Sequence, residues 1–187
     1  MTERPILFSS PMVKAILEGR KTQTRRALRD QQPVDFGSAK YGAHLVRRDV
    51  HDHGKLVGHR MAPVRCPYGQ PGDRLWVRET FNDDRKETIY RADGDMPGEW
   101  FDAGSKWRPA IHMPRNRSRL TLEVTGVRVE RVQSISDADV LAEGCEERLG
   151  RHVPAYIQLW DSLNAKRGYG WEKNPWVWVV EFKRVAA

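Results

Sequence analysis

The chain has 187 residues, enough for one domain with a real core and too few to demand two. Apolar content of 39% and charged content of 30% lie on the polar side of globular averages, yet seven tryptophans exclude a disordered chain. The net charge of +7 is local: residues 1–60 carry 12 Lys/Arg against 6 Asp/Glu, and residues 61–187 carry 20 against 19, a bias that favours a polyanionic, nucleotide or RNA partner.

Ile6-Leu7-Phe8 reads as a short strand, and Ser10 then caps a helix with Pro11 at its first position. Met12, Val13, Ile16 and Leu17 give that helix one apolar face, and Gly19 ends it. From about Ala27 to Gly72 periodicity is weak and Gly and Pro recur, the pattern of a long functional loop. Pro71-Gly72-Asp73 is a turn signal before a strand over 74–80, and Thr88–Arg91 is a second short strand. Residues 92–117 form another excursion rich in Gly, Pro and Trp. Leu120, Leu122 and Val124 alternate with polar residues, then the phase slips to Val127 and Val129, which predicts a bulge at Thr125-Gly126. Ser136 and Asp139 form a capping box for a helix over 137–143, closed by Gly144. Pro154 opens a further helix whose Ile157, Trp160 and Leu163, with Tyr156 alongside, face the core. Trp176–Phe182 is apolar on both faces and reads as a central strand. The whole suggests one α+β domain, residues 1–187, built on a small barrel with flanking helices and two long loop excursions.

No run approaches the ~20 apolar residues of a membrane span, and the N-terminus lacks the apolar segment of a signal peptide. With Cys66 and Cys145 as its two cysteines, a reduced cytoplasmic protein without a disulfide is expected. His51, His53, His59 and Cys66 match no zinc spacing, so no metal or other cofactor is expected.

Between Arg20 and Arg26 the chain carries bases and hydroxyls and no acid. Lys21 and Thr24 are a possible base and nucleophile, and Arg20, Arg25 and Arg26 supply an anion site and cations that lower a lysine pKa. In a straight strand positions 21 and 24 point to opposite faces, so the pair can cooperate only across a bend.

The order of these signals resembles the ASCH superfamily, relatives of the PUA RNA-binding domain. Gly19-Arg20-Lys21-Thr22-Gln23-Thr24 is similar to its N-terminal signature, Pro71-Gly72-Asp73-Arg74-Leu75 to its Gly-Asp turn, Leu122–Thr125 to its next core strand and Trp178–Phe182 to its closing strand. Cys66-Pro67-Tyr68-Gly69 and Ile111–Arg115 resemble the long-loop variety common in phages and prophages. The resemblance implies a PUA-like β-barrel. It implies an amidohydrolase that removes the acyl group of N4-acetylcytidine through a Lys, a Thr and a Glu, carried here by Lys21, Thr24 and Glu143. An RNA-binding module or a metal-independent ribonuclease is the alternative. Glu143 beside Gly144 is badly placed for a helix C-terminus, which disfavours negative charge, so another group is expected to hold it. Arg78 is a candidate for a carbonyl or phosphate, Glu79 for an alternative base, and His112 with Arg115 for substrate contact. Trp76, Trp100 and Trp107 are candidates to stack a base. The partner expected is a small nucleoside, with RNA as the alternative.

Overall fold

The computed structural model describes residues 1–31, 34–35, 44–51, 55–63, 65–83, 87–95, 98, 104–145 and 152–185. In chain order the elements are β1 (Glu3–Leu7), α1 (Ser10–Leu17), β2 (Gln23–Ala27), β3 (Val34–Asp35), β4 (His44–His51), β5 (Lys55–Pro63) and β6 (Arg74–Arg78). Then come β7 (Phe81–Asn82), β8 (Ile89–Tyr90), β9 (Thr121–Arg131), α2 (Asp137–Ala142), α3 (His152–Asn164) and β10 (Trp176–Val185).

Five strands form one sheet in the order β1-β6-β9-β10-β2, parallel only between β1 and β6. The expected central strand holds: β10 lies between β9 and β2. Its alternate residues serve two cores. Trp178, Val180 and Phe182 join Ile6, Phe8, Leu75, Val77, Leu122 and Val124 under Val13 and Ile16 of α1. Val177 and Val179 face the other way, to Val140, Tyr156 and Trp160 of α2 and α3. A strand that is apolar on both faces is what such a two-sided position requires.

The phase slip in β9 is a bulge. Glu181 pairs with Gly126 and Phe182 with Val124, leaving Thr125 over. A Cβ at Gly126 would lie 2.5 Å from Glu181 Oε2, so glycine makes room there for the carboxylate.

The sequence expectation of a barrel is corrected in one respect. Among the described residues the sheet is open, because β1 and β2 share no ladder. Across that gap Arg26 Nη2 donates to the Leu7 carbonyl at 2.6 Å, a side chain standing where backbone pairing would close the ring. The first excursion is also more regular than its weak periodicity implied: β3, β4 and β5 make a three-stranded antiparallel sheet. A backbone ladder needs no amphipathic pattern, and a hairpin bearing charges on both alternations hides from a periodicity argument. In the second excursion the described residues include two 3-10 turns, Ala110–His112 and Arg115–Arg117.

The capping box at Ser136 and Asp139 forms as read. On α3 the buried stripe runs through Tyr156, Trp160 and Asn164, whereas Leu163 is 51% exposed. An i, i+4, i+8 line follows the sheet better than the i, i+3, i+6 line read from the apolar residues, which drifts off the face. Among the described residues no helix is long and apolar enough to cross a membrane.

Candidate active site

The backbone bends where the sequence required it to. After α1, Arg20 and Lys21 turn back so that both amides donate to the Ala15 carbonyl, at 2.9 and 3.0 Å. Lys21 then forms a single antiparallel bridge with Glu143, and β2 starts only at Gln23. The Thr22 amide donates to the Ala142 carbonyl at 2.8 Å, which fastens the end of α2 to the start of β2. Gly144 makes this approach possible. Its φ is +80°, and a Cβ there would lie 2.9 Å from Lys21 Cβ and 3.0 Å from Ala15 Cβ.

The Lys21 side chain is fully buried. Its ammonium donates to the Gln23 carbonyl at 2.7 Å, the Glu143 carbonyl at 2.7 Å and Glu143 Oε2 at 2.8 Å. Burial pulls its pKa below the usual lysine value, and the Glu143 carboxylate opposes that pull. The ammonium also lies 5.6 Å from the centroid of the Phe8 ring, which Arg26 approaches to 5.3 Å. Thr24 pairs with Val180 and so shares the inner face of the sheet with Arg26 and the Phe8–Phe182 contact. The bend therefore carries the Lys21 head group to the side of the strand that holds Thr24, itself buried. None of the lysine's hydrogen bonds goes to the Thr24 hydroxyl.

Glu143 is the residue that caps the C-terminus of α2. Its unfavourable position is explained by Lys21 on one oxygen and by Arg25 Nη1, 3.6 Å from the other. Arg25, with a fully buried side chain, also reaches Glu130 at 3.1 Å and Asp139 at 3.2 Å. Arg128 extends the network to Glu130, Glu181, Asp139 and the Gln23 carboxamide. Burial alone would raise the Asp139 pKa, but hydrogen bonds from Ser136 and the charge of Arg25 outweigh it and bring it to about 2. Burial and the Glu143 charge push the Cys145 thiol up, so it is no ready nucleophile.

Of the remaining sequence candidates, Arg20 is exposed, bound to Glu18 and to the Gly144 carbonyl. Trp76, Arg78, Glu79 and His112 are not brought to Lys21. Trp76 and Arg78 alternate onto the face opposite Leu75 and Val77, where Arg78 and Arg115 stack on Trp76. Arg78 donates to the carbonyls of Ile111 and Met113, pinning the turn that carries the exposed His112. Arg115 pairs with Glu3. Glu79 is held in a two-pronged pair by Arg119, at 3.0 and 3.1 Å. Trp107 stacks with Arg91 and lines a shallow cavity with Tyr90 and Asp93, while Trp100 and His53 lie outside the described residues. The sequence reading missed Gln23, Glu130, Asp139 and Arg128 as members of the network and took Tyr156 for core alone. For Arg128 and Glu130 the available signal was their alternation with Val127 and Val129 on β9.

No family model matches the chain, and no curated protein does. Two solved structures align over nearly all of it. One is an ASCH domain from Lactobacillus crispatus JV V101, at 13% identity and a TM-score of 0.45, covering 98% of this chain and 79% of that one. The other is protein EF3133 from Enterococcus faecalis V583, of family DUF984, at 11% identity and a TM-score of 0.44, covering 99% and 80%. Likenesses of this degree assign no family, and the site stands on its own residues.

Proposed function

We propose that the chain is an ASCH-type amidohydrolase acting on N4-acylcytosine nucleosides, with Lys21, Thr24 and Glu143 as its reacting groups. The observation that carries this reading is the buried Lys21–Glu143 pair at 2.8 Å, with a buried threonine a few residues along the same segment, at position 24. In such a site a proton shift from Nζ to Oε2 leaves a neutral pair and a free amine, at little electrostatic cost because no net charge moves in or out. The amine takes the Thr24 proton as the hydroxyl oxygen adds to the acyl carbon. The C–N4 bond then breaks, N4 receives the proton from Nζ, and cytidine leaves an acyl-threonine ester. Water, deprotonated by the same amine, releases the carboxylic acid and restores the hydroxyl. Incubation with N4-acetylcytidine should release cytidine and acetate, and Lys21→Ala should abolish turnover. Absence of release by the wild-type chain, or full turnover by the variant, overturns the reading.

One observation favours a second reading. All three protons of the Lys21 ammonium have acceptors, as they would in a static scaffold. On that reading the chain is a PUA-like RNA-binding module, and its N-terminal charge excess serves phosphate contacts. RNA affinity that falls steeply with salt, without release of cytidine or of RNA fragments, selects it over the hydrolase and over a ribonuclease.

A further inference from the structure

The first excursion carries a charge pattern that only the strand register brings together. Among the described residues β3 pairs with His44 and Leu45 alone, so from Val46 outwards β4 and β5 run on as a two-stranded ribbon. The register sets basic residue against basic residue three times: Arg47 opposite Arg60, Arg48 opposite His59 and His51 opposite Lys55. Asp49 is the one acid among the described residues of the ribbon, and it stands opposite Gly58. Like charges directly opposite each other weaken a strand pair, whereas opposite charges strengthen it. Neither strand therefore compensates the positive charge of the other.

Both faces of the ribbon carry this charge. Residues alternate across a strand, so Arg47, Arg60 and the His51–Lys55 pair lie on one face and Arg48 with His59 on the other. Docking on a flat anionic surface, such as a membrane, uses one such face. Two faces suit a groove with phosphates along both walls. Between His44 and Pro63 there is no Phe, Tyr or Trp, the residues that anchor a chain in a membrane interface or stack on unpaired bases. That leaves a duplex. The major groove of B-DNA, about 12 Å wide, admits a two-stranded ribbon with strands about 4.8 Å apart, whereas the deep groove of A-form RNA is too narrow for side chains to read. The bulge between Asp49 and Val50 adds right-handed twist, the hand of the groove.

We propose that the β4–β5 ribbon is a binding arm for double-stranded DNA that enters the major groove, with Arg47, Arg48, Lys55 and Arg60 supplying charge to the phosphates of both walls. The arm is independent of what the Lys21 site does.

Fluorescence anisotropy of the full chain with a labelled DNA duplex, read across a salt series, tests it. Four bases set against phosphate give a slope of about −3.6 in log affinity against log salt. Arg47→Thr combined with Arg60→Thr replaces a repulsive cross-strand pair by a favourable one, so the Tm should stay equal or rise. The same variant should lose about half of the salt slope and bind DNA at least about tenfold more weakly at about 0.1 M salt. Arg48→Thr, a single change on the other face, must weaken binding in the same sense, and it carries the test should the double variant not fold. Lys166→Thr combined with Arg167→Thr removes the same charge from an exposed turn after α3. That control should leave the affinity within about twofold, because salt screens charges remote from the contact. An RNA duplex of the same sequence, the single DNA strand and vesicles of anionic phospholipid should each bind more weakly than the DNA duplex. Equal or tighter binding to any of these, an equal loss from the control variant, no effect of Arg48→Thr, or no binding of DNA overturns the arm.

Discussion

Two acid–base clusters sit in this fold, and they differ in what is left unpaired. At the mouth of β2, Lys21, Arg25 and Arg128 share Glu143, Glu130, Asp139 and Glu181, and Arg25 Nε and the Tyr156 hydroxyl have no hydrogen-bond partner among the described residues. Near β8, Arg119 spends its fork on Glu79 and Asp93, stacks on Tyr90 at 4.0 Å, and the Tyr90 hydroxyl donates to the Arg117 carbonyl at 2.9 Å. No atom of that second cluster is among the unpaired ones. A network that satisfies itself rigidifies a fold. One that buries open donors carries a desolvation cost that its own contacts do not offset. The contrast is between a fully paired cluster and one that is buried more deeply and paired less completely.

The sharpest way to break the comparison is Glu143→Ala. It leaves the Lys21 ammonium and one side of Arg25 buried without their carboxylate, and removing one partner of a buried pair costs about 3–5 kcal/mol. Urea unfolding should show that loss. Combining Lys21→Met with Glu143→Leu should recover most of it while turnover stays absent, because an apolar pair of similar volume carries no desolvation cost. A double variant no more stable than Glu143→Ala would mean that the pair is a structural staple.

Acid gives the second test. Asp139 titrates at about 2 in the fold against an ordinary 3.8. A lowered carboxylate contributes stability that is complete above its unfolded value and is lost as the pH falls through its folded value. Its share, on the order of 2 kcal/mol, should therefore disappear between about pH 5 and pH 2. Asp139→Asn should flatten unfolding stability across that window by the same amount. A variant profile that parallels the wild type would show that Asp139 is not held by Ser136 and Arg25.

Much of the frame was legible in sequence because it is local. The capping box at Ser136, the phase slip at Thr125 and the double-faced strand at 176–182 each follow from a few adjacent residues. The Lys21–Glu143 pair was reachable only through resemblance, since its members are 122 apart and meet through a one-residue bridge. Tyr156 was read as core because it is apolar in body and helical in spacing. What marks it, an unpaired hydroxyl, exists only once β2, α2 and α3 are packed together. Trp76, Arg78 and Glu79 show the converse: the sequence gives charge beside an aromatic at a strand end, and only the fold shows that Arg78 stacks on Trp76 and bonds two carbonyls while Glu79 holds Arg119.

The smallest effect belongs to Glu79→Gln. The amide keeps one acceptor for Arg119, and the guanidinium retains Asp93 at 2.7 and 3.0 Å and the Tyr90 ring. Arg119 is 25% exposed, so water reaches the charge that the substitution unpairs, unlike the ammonium left behind at position 21. The loss should be about 1 kcal/mol, the scale of one charge-assisted hydrogen bond in a partly solvated network, and should show as a small fall in urea midpoint. The comparison turns on the ratio of the two losses. If Glu79→Gln costs as much as Glu143→Ala, partner number and solvent access do not separate the clusters. The unpaired atoms around Arg25 would then mark no energetic difference between the two.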